Sequence, residues 1–209
     1  MPIDWKYVVT PKIALLEALV VVIFLTGDGL LGFSFESAYA DTLRALSDNL
    51  THGLIAAISW AIVIDGQADS PRGALLQILL CGALGSLVDV DHFLAARSLK
   101  LKAALSLPQR PPFHATTVIP VISLVILVTQ RLTQTRHLPY LPLLFLVSWL
   151  SHHTRDAVRR GYWMWPFGET PPLPYGTYVM LNIGLPLIVR CIVLYSKLSE
   201  QPHLGLEVV

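Results

Sequence analysis

The chain has 209 residues, of which 54% are hydrophobic and only 14% are charged, and its mean hydropathy is +0.59. A water-soluble domain normally carries about 25% charged residues, so this composition argues against a soluble protein and indicates a multi-pass membrane protein. The net charge of +1 also argues against a nucleic-acid-binding protein, because affinity for a phosphate backbone comes from clustered excess Lys and Arg.

Six apolar segments approach the length of about 20 residues that a helix needs to cross a hydrocarbon core about 30 Å thick. They run over residues 13–35, 49–64, 73–96, 116–130, 141–157 and 175–196. The second and fourth are short, so five spans with one buried or re-entrant segment are an alternative. We expect an all-α polytopic membrane helix bundle of about six transmembrane helices, formed by a single integral membrane domain over residues 1–209.

The first apolar segment is predicted to be a retained helix and not a cleaved secretory signal. It contains Glu17 and Asp28 and is longer than the apolar core of a signal peptide. Glu17 lies toward the same end of the predicted bundle as Arg190, so these two residues are expected to form an ion pair. Where the second segment begins, Asn49 or Asp48 is expected to cap its helix.

The connections between the later segments suit the membrane interface. The stretch 97–112 mixes basic residues with leucines and is predicted to lie in the headgroup layer. After the fifth segment, several prolines exclude a continuous helix, and Tyr162, Trp163 and Trp165 are typical of an aromatic belt.

The ionisable residues collect at one membrane face if the six helices alternate in direction. That face receives the ends of the odd-numbered helices and the starts of the even-numbered ones. The residues placed there are Asp28, Asp48, His52, Asp89, Asp91, His92, His114, His152, His153 and Asp156. Lys and Arg are slightly more numerous on this face than on the other, so the positive-inside rule predicts that it is cytoplasmic.

Within this set, three Asp/His pairs are spaced so that both members lie on one side of their helix. The pairs are Asp48 with His52, Asp89 with His92, and His152 with Asp156. A charge in the bilayer costs at least about 2.5 kcal/mol, so such groups are expected to face one another or a wet cavity. Helical bundles often build metal sites from carboxylate and imidazole groups at these spacings.

We therefore predict a divalent metal site, with Zn²⁺ as the first expectation. Its predicted ligands are His52, Asp89, Asp91, His92, His114, His152 and Asp156. His153 lies about 100° around the helix from His152 and is not expected to be a ligand. A metal-free proton or ion site and a purely structural polar network are the alternatives, and for any single residue the structural interpretation is the simpler one.

Several stretches of the sequence resemble the transmembrane protein 267 family of animals. They are "LRALSDNLTH", "SLVDVDHFLAA", "SLKLKAALSLPQRPPFHATTVIPV" and "SHHTRDAVRRGYWMWPFGETPPLPYGTYV". Together they cover most of the chain between Leu43 and Val179.

More distantly, the order D-x-D-H, then H, then H-x-x-x-D resembles a bacterial family of inner-membrane metal-dependent hydrolases. The matching residues are Asp89, Asp91, His92, His114, His152 and Asp156, followed by Gly161, Pro166 and Phe167. The bacterial segment H-R-G-x-T-H-S reads "QRPPFHA" here, so Arg110 and His114 match while Gln109 replaces the first His. Phe113 and Ala115 replace the Thr and the Ser. This departure bears on catalysis more than on metal binding.

The resemblance implies a membrane-embedded metal-dependent hydrolase. That family is similar in its His/Asp helices to zinc-dependent phospholipase C and nuclease folds, which implies phosphoester or lipid-linked headgroup substrates. The predicted catalytic residues are Asp48 and Asp89 as general bases and Arg110 as a phosphate ligand, a role for which Arg155 and Arg159 are also considered.

The alternative to an enzyme is a non-catalytic multi-pass membrane protein with a structural metal or polar site. A small transporter is less well supported, because transporters place ionisable groups near the midplane of the bilayer and these lie at helix ends. Contact with membrane lipids is expected, and an endomembrane location is favoured over secretion. The sequence indicates no nucleic acid and no particular protein partner.

Overall fold

In the computed structural model, which describes residues 5–32, 39–135 and 138–200, the regular elements are helices. They are α1 (Trp5–Val8), α2 (Pro11–Gly32), α3 (Ala40–Ile64), α4 (Pro71–Leu87), α5 (Val90–Ala96), α6 (Leu101–Leu105), a 3₁₀ turn (Pro112–His114), α7 (Val118–Thr133), α8 (Leu141–Arg160) and α9 (Tyr175–Glu200). The expected all-α membrane helix bundle is confirmed. A single domain over 1–209 stays a prediction, because the chain ends lie outside the described residues.

Three helices are long and apolar enough to cross a membrane. They are Pro11–Gly32, Pro71–Ala96 (α4 and α5 together) and Tyr175–Lys197, and Val118–Thr133 is a shorter apolar helix. α3 and α8 have 25 and 20 residues but carry several charged side chains at the end that bears the Asp/His residues. The chain is an integral multi-pass membrane protein, while the number of six spans and the orientation stay predictions.

α3 and α8 form the centre of the bundle. α8 buries 12 of its 20 residues and α3 buries 10 of its 25, whereas α2 buries 4 of 22. Trp60 of α3 and Leu144 and Val147 of α8 share one apolar cluster with Cys81 of α4 and Val193 of α9. The outer helices are therefore the ones with high hydropathy, and the two inner helices can carry polar groups because the others shield them from lipid.

Small residues let α4 approach α3 closely. A Cβ at Gly82 would lie 3.0 Å from the carbonyl oxygen of Gly53, and a Cβ at Gly85 would lie 2.8 Å from Cβ of Ala56. Small residues commonly allow such close helix packing in membrane proteins. This contact brings the end of α4, and Asp89 after it, beside the polar face of α3.

Two helix boundaries differ from the sequence-based expectation. α3 begins at Ala40 and not at residue 49, so Asp48 and Asn49 lie inside the helix and the prediction that one of them caps it is wrong. The third apolar segment is interrupted between α4 and α5, where Asp89 lies. The predicted end of the first segment, residues 33–35, lies outside the described residues.

The predicted ion pair between Glu17 and Arg190 is also wrong. The Arg190 guanidinium donates hydrogen bonds to the carbonyl oxygens of Tyr7 (2.9 Å), Ile62 (2.8 Å) and Asp65 (2.9 Å). The carboxylate oxygens of Glu17 have no hydrogen-bond partner among the described residues. Arg190 is drawn to the end of α3 because the last carbonyl groups of a helix lack partners within that helix.

Candidate metal centre

The predicted metal ligands meet at one end of the bundle, although they come from four separate segments. Three sets of side chains each offer ligand atoms that lie within 4.8 Å of one another. The sets are His52, Asp89 and His152; Asp89, His92 and His114; and His114, His152 and Asp156. Because the sets share Asp89, His114 and His152, they form a single group, which we call the Asp/His cluster together with Asp91 beside it.

Four residues at the middle of the cluster have similar separations. Asp89 Oδ1 lies 3.5 Å from His114 Nε2 and 3.6 Å from His152 Nε2. Asp156 Oδ2 lies 3.5 Å from each of the same two nitrogen atoms. These distances are too long for good hydrogen bonds. They are close to the distance between two ligands of one tetrahedral Zn²⁺, which is about 3.4 Å when each ligand lies about 2.1 Å from the metal.

The ring of His152 is fixed in one orientation by the backbone. Its Nδ1 lies 2.8 Å from the carbonyl oxygen of Gly85, which can only accept a hydrogen bond, so Nδ1 carries the proton. In the neutral imidazole, Nε2 then presents a lone pair toward Asp89 and Asp156. Metal-binding histidines are commonly oriented in this way.

Asp91 orients the other central histidine. Its Oδ1 lies 3.3 Å from His114 Nδ1, and its Oδ2 accepts a hydrogen bond from the Phe113 backbone N–H at 2.7 Å. His92 Nδ1 also lies 3.3 Å from Asp91 Oδ1. This carboxylate–imidazole arrangement directs Nε2 of His114 toward Asp89 and Asp156. A direct ligand role for Asp91 stays a prediction.

Several buried polar atoms in the cluster have no hydrogen-bond partner among the described residues. They are His52 Nδ1, Asp91 Oδ1, His92 Nδ1, His114 Nε2 and His152 Nε2. An unsatisfied buried polar atom costs about 1–3 kcal/mol. The donor set therefore fits a cation, which would satisfy several of these atoms together.

The carboxylates dominate the electrostatics at His114. Burial alone would lower the pKa of His114, but the nearby carboxylates of Asp89, Asp91 and Asp156 outweigh burial. They raise the pKa of His114 to about 9. The cluster thus favours positive charge.

Asp48 lies at the edge of the cluster and is held by two arginines. It forms ion pairs with Arg155 and with Arg159, the latter at 3.1 Å, and it lies 3.7 Å from His52. The predicted role of Asp48 as a general base stays a prediction.

The same arginines also contact cluster residues. Arg159 pairs with Asp156, while the buried Arg155 lies 3.2 Å from Asp28 and donates to His52 Nε2 at 3.2 Å. Because Arg155 occupies that nitrogen, it competes with a cation for His52. Both guanidinium groups thus form ion pairs with carboxylates around the cluster.

Arg110 is directed toward the end of α8 and not toward the cluster. Its guanidinium donates hydrogen bonds to the carbonyl oxygens of Arg160 and Gly161, the latter at 2.9 Å, and lies 3.6 Å from Glu169. Gly161 ends α8 with a φ of +71°, a conformation that favours glycine. The predicted phosphate-binding role of Arg110 stays a prediction.

His153 makes two hydrogen bonds away from the central four residues. Its Nε2 donates to the carbonyl oxygen of Phe113 at 2.9 Å, and its Nδ1 lies 3.0 Å from Thr116 Oγ1. Since both ring nitrogens are used, His153 is placed to hold the segment that bears His114.

Two residues near the cluster were missed by the sequence analysis. Asn49 Nδ2 donates to the Ser86 carbonyl oxygen at 2.8 Å and to Asp89 Oδ2 at 3.3 Å, so it holds Asp89 in place. Its spacing of three residues from His52 could have placed it on the same helix face. The other is Arg160, which lines a cavity of about 580 Å³ above the cluster.

Comparison with known proteins identifies relatives over most of the chain. It is 47% identical to Transmembrane protein 267 of Mus musculus over 163 residues, which cover 78% of this chain and 74% of the relative. The corresponding protein of Bos taurus is 43% identical over 190 residues, covering 90% and 86%. That of Xenopus laevis is 43% identical over 167 residues, covering 78% and 76%. No family model matches the chain, and no solved structure matches it.

Proposed function

The chain belongs to the transmembrane protein 267 family, and we propose that it is a membrane-embedded, metal-dependent hydrolase that acts on phosphoesters. The Asp/His cluster would bind a divalent cation, with Zn²⁺ as the first expectation. The resemblance of its motifs to bacterial inner-membrane metal-dependent hydrolases supports the proposed reaction class.

One observation carries the proposal. One carboxylate oxygen each of Asp89 and Asp156 lies 3.5–3.6 Å from Nε2 of both His114 and His152, without a hydrogen bond between them. A polar network that formed only for stability would close these gaps to hydrogen-bond distance, since buried polar atoms are almost always paired. A shared cation explains both the separation and the unpaired nitrogen atoms.

A bound divalent cation would make water nucleophilic near neutral pH and offset the negative charge of a phosphoryl group. The chain supplies the geometry. Gly85 and Asp91 orient the two central histidines, and Asn49 holds Asp89. Asp89 is the proposed general base, since it lines the cavity and has no arginine partner among the described residues.

The alternative is a non-catalytic member of the family that keeps a structural metal. Two features favour it: Gln109 stands where the bacterial hydrolases have a His, and Arg155 occupies one nitrogen of His52. In that case the cluster would retain its cation but turn over no substrate.

Phosphate release from a generic phosphoester by the purified full-length protein tests the proposal. Activity is expected to disappear with a chelator, to return on addition of Zn²⁺ or Mn²⁺, and to be lost in Asp156→Asn. The matched control is Asp65→Asn at the other end of the bundle, where Asp65 pairs with Lys12. A protein that holds metal but shows no activity above that of Asp156→Asn would support the structural-metal alternative.

A further inference from the structure

We infer that the cavity above the Asp/His cluster binds a membrane lipid with a phosphate headgroup, with the phosphate at Arg160 and the acyl chain along α3, α5 and α6. That this lipid is also the substrate rests on the proposed function, whereas its binding can be tested independently.

The cavity has the volume of a small-molecule site. Its volume is about 580 Å³, within the range of about 300–1,000 Å³ that is usual for such sites. Asp89, His92, His114 and Asp156 lie in its polar wall. A molecule that occupies the cavity therefore reaches the proposed reacting groups directly.

Another part of the cavity lining is apolar. It is formed by Leu46 of α3, Phe93 of α5, Leu99 between α5 and α6, and Leu101 and Leu105 of α6. Three of these leucines are also open to the surroundings, since Leu46 is 63% exposed, Leu99 is 93% exposed and Leu105 is 58% exposed. In a membrane protein, such a wall offers an acyl chain a continuous path from the bilayer, whereas a water-soluble phosphate would gain nothing from it.

Arg160 is the arginine available to a ligand. Arg155 and Arg159 are paired with carboxylates, and the guanidinium of Arg110 donates to carbonyl groups. Arg160 lines the cavity and is exposed, and its guanidinium forms no hydrogen bond or ion pair with any residue that the structure describes. A free guanidinium beside a metal-binding cluster suits a phosphate, which it can bind with two parallel hydrogen bonds.

Photo-crosslinking of the full-length protein tests the inference. The protein is held in maltoside micelles, which contain no phosphate, and is labelled with phosphatidate that carries a photoreactive acyl chain. We expect crosslinks within residues 93–105, competed by unlabelled phosphatidate but not by inorganic phosphate, diacylglycerol or a fatty acid. In Arg160→Gln, about tenfold more unlabelled phosphatidate should be needed to compete, as expected for loss of a charged hydrogen-bonding partner.

Matched variants separate the cavity from the rest of the surface. Arg131→Gln changes an exposed arginine in the last turn of α7, away from the cavity, and should leave binding unchanged. Leu105→Ser should weaken crosslinking, whereas Leu132→Ser, at an exposed leucine of α7, should not. Equal effects of the two arginine variants would overturn the assignment of Arg160.

The competitors and an activity assay separate the remaining outcomes. Competition by inorganic phosphate as strong as that by phosphatidate would overturn the lipid assignment, and equal competition by diacylglycerol or a fatty acid would overturn the phosphate assignment. Hydrolysis of a soluble phosphoester without phosphatidate binding would overturn this inference alone. Specific phosphatidate binding to a metal-loaded protein that hydrolyses no phosphoester would support the inference and contradict the proposed function.

Discussion

His152 Nδ1 donates a hydrogen bond to the Gly85 carbonyl oxygen at 2.8 Å, which links the centre of the Asp/His cluster to the tight contact between α3 and α4. Gly85 is also a position where a Cβ would lie 2.8 Å from Cβ of Ala56. One residue therefore sets both the spacing of two helices and the orientation of a predicted metal ligand.

The first prediction concerns this link. Gly85→Ala should lower the melting temperature and weaken metal binding, because the added methyl group pushes α4 from α3 and moves the acceptor of His152; overpacking of this kind costs about 1–3 kcal/mol. Gly29→Ala in α2, where nothing lies within 4 Å of a Cβ, is the control and should be tolerated. Thermal unfolding in detergent, with and without added Zn²⁺, provides the comparison, and equal melting temperatures for the two variants would contradict the prediction.

The second prediction separates adjacent histidines. His152→Ala should abolish the rise in melting temperature that Zn²⁺ produces, because a ligand bound only by the folded state stabilises that state. His153→Ala removes hydrogen bonds to Phe113 and Thr116, so it should lower stability while the response to Zn²⁺ remains. Indistinguishable responses to Zn²⁺ in the two variants would argue against a ligand role for His152.

The third prediction concerns Asn49, which holds Asp89. Asn49→Ala should weaken metal affinity by about 10–100-fold, the usual effect of removing a group that orients a ligand. Asn182→Ala is the control, because Asn182 also donates a hydrogen bond to a backbone carbonyl oxygen, that of Tyr178, but is buried in α9 and contacts no residue of the Asp/His cluster through that bond. Competitive titration with a metal-sensitive dye measures both affinities, and an unchanged affinity in Asn49→Ala would remove Asn49 from the site.

The fourth prediction follows from the partners of Arg190. Arg190→Met removes the hydrogen bonds to three carbonyl groups, of which that of Asp65 also accepts from Gln67 Nε2 at 3.4 Å. Each carbonyl group left unsatisfied costs about 1–3 kcal/mol, so the free energy of unfolding should fall markedly. Glu17→Gln should have little effect, and the two changes should be additive within about 0.5 kcal/mol because the residues do not pair. A larger coupling energy between the two changes, measured by denaturant unfolding, would contradict this result and support the ion pair predicted from the sequence.

Helical spacing made part of the cluster predictable. Asp89 with His92 and His152 with Asp156 are three or four residues apart, so each pair lies on one helix face, and alternating helices bring these faces to one end of the bundle. High hydropathy identified the outer helices. The inner α3 and α8 gave weaker signals because their polar residues are sheltered by other helices and not by water.

The other roles in and around the cluster depend on tertiary contacts, which residue spacing along the sequence does not predict. The role of Asp91 behind His114 follows from the 3₁₀ turn that places the Phe113 N–H on its carboxylate. The partners of Arg110 and Arg190 are backbone carbonyl groups at helix ends, and a sequence shows charges but not which carbonyl groups lack partners. Asn49 was mistaken for a cap because the polar first half of α3 does not resemble a membrane helix.

Metal content of the purified full-length protein tests the central claim most directly. Elemental analysis of protein prepared without chelators should find Zn, Fe or Mn at a stoichiometric level, lost in Asp89→Asn and retained in the control Asp65→Asn. Protein that holds none of these metals after loading and desalting, or an Asp89→Asn variant that holds as much as the control, would contradict a metal centre at the Asp/His cluster.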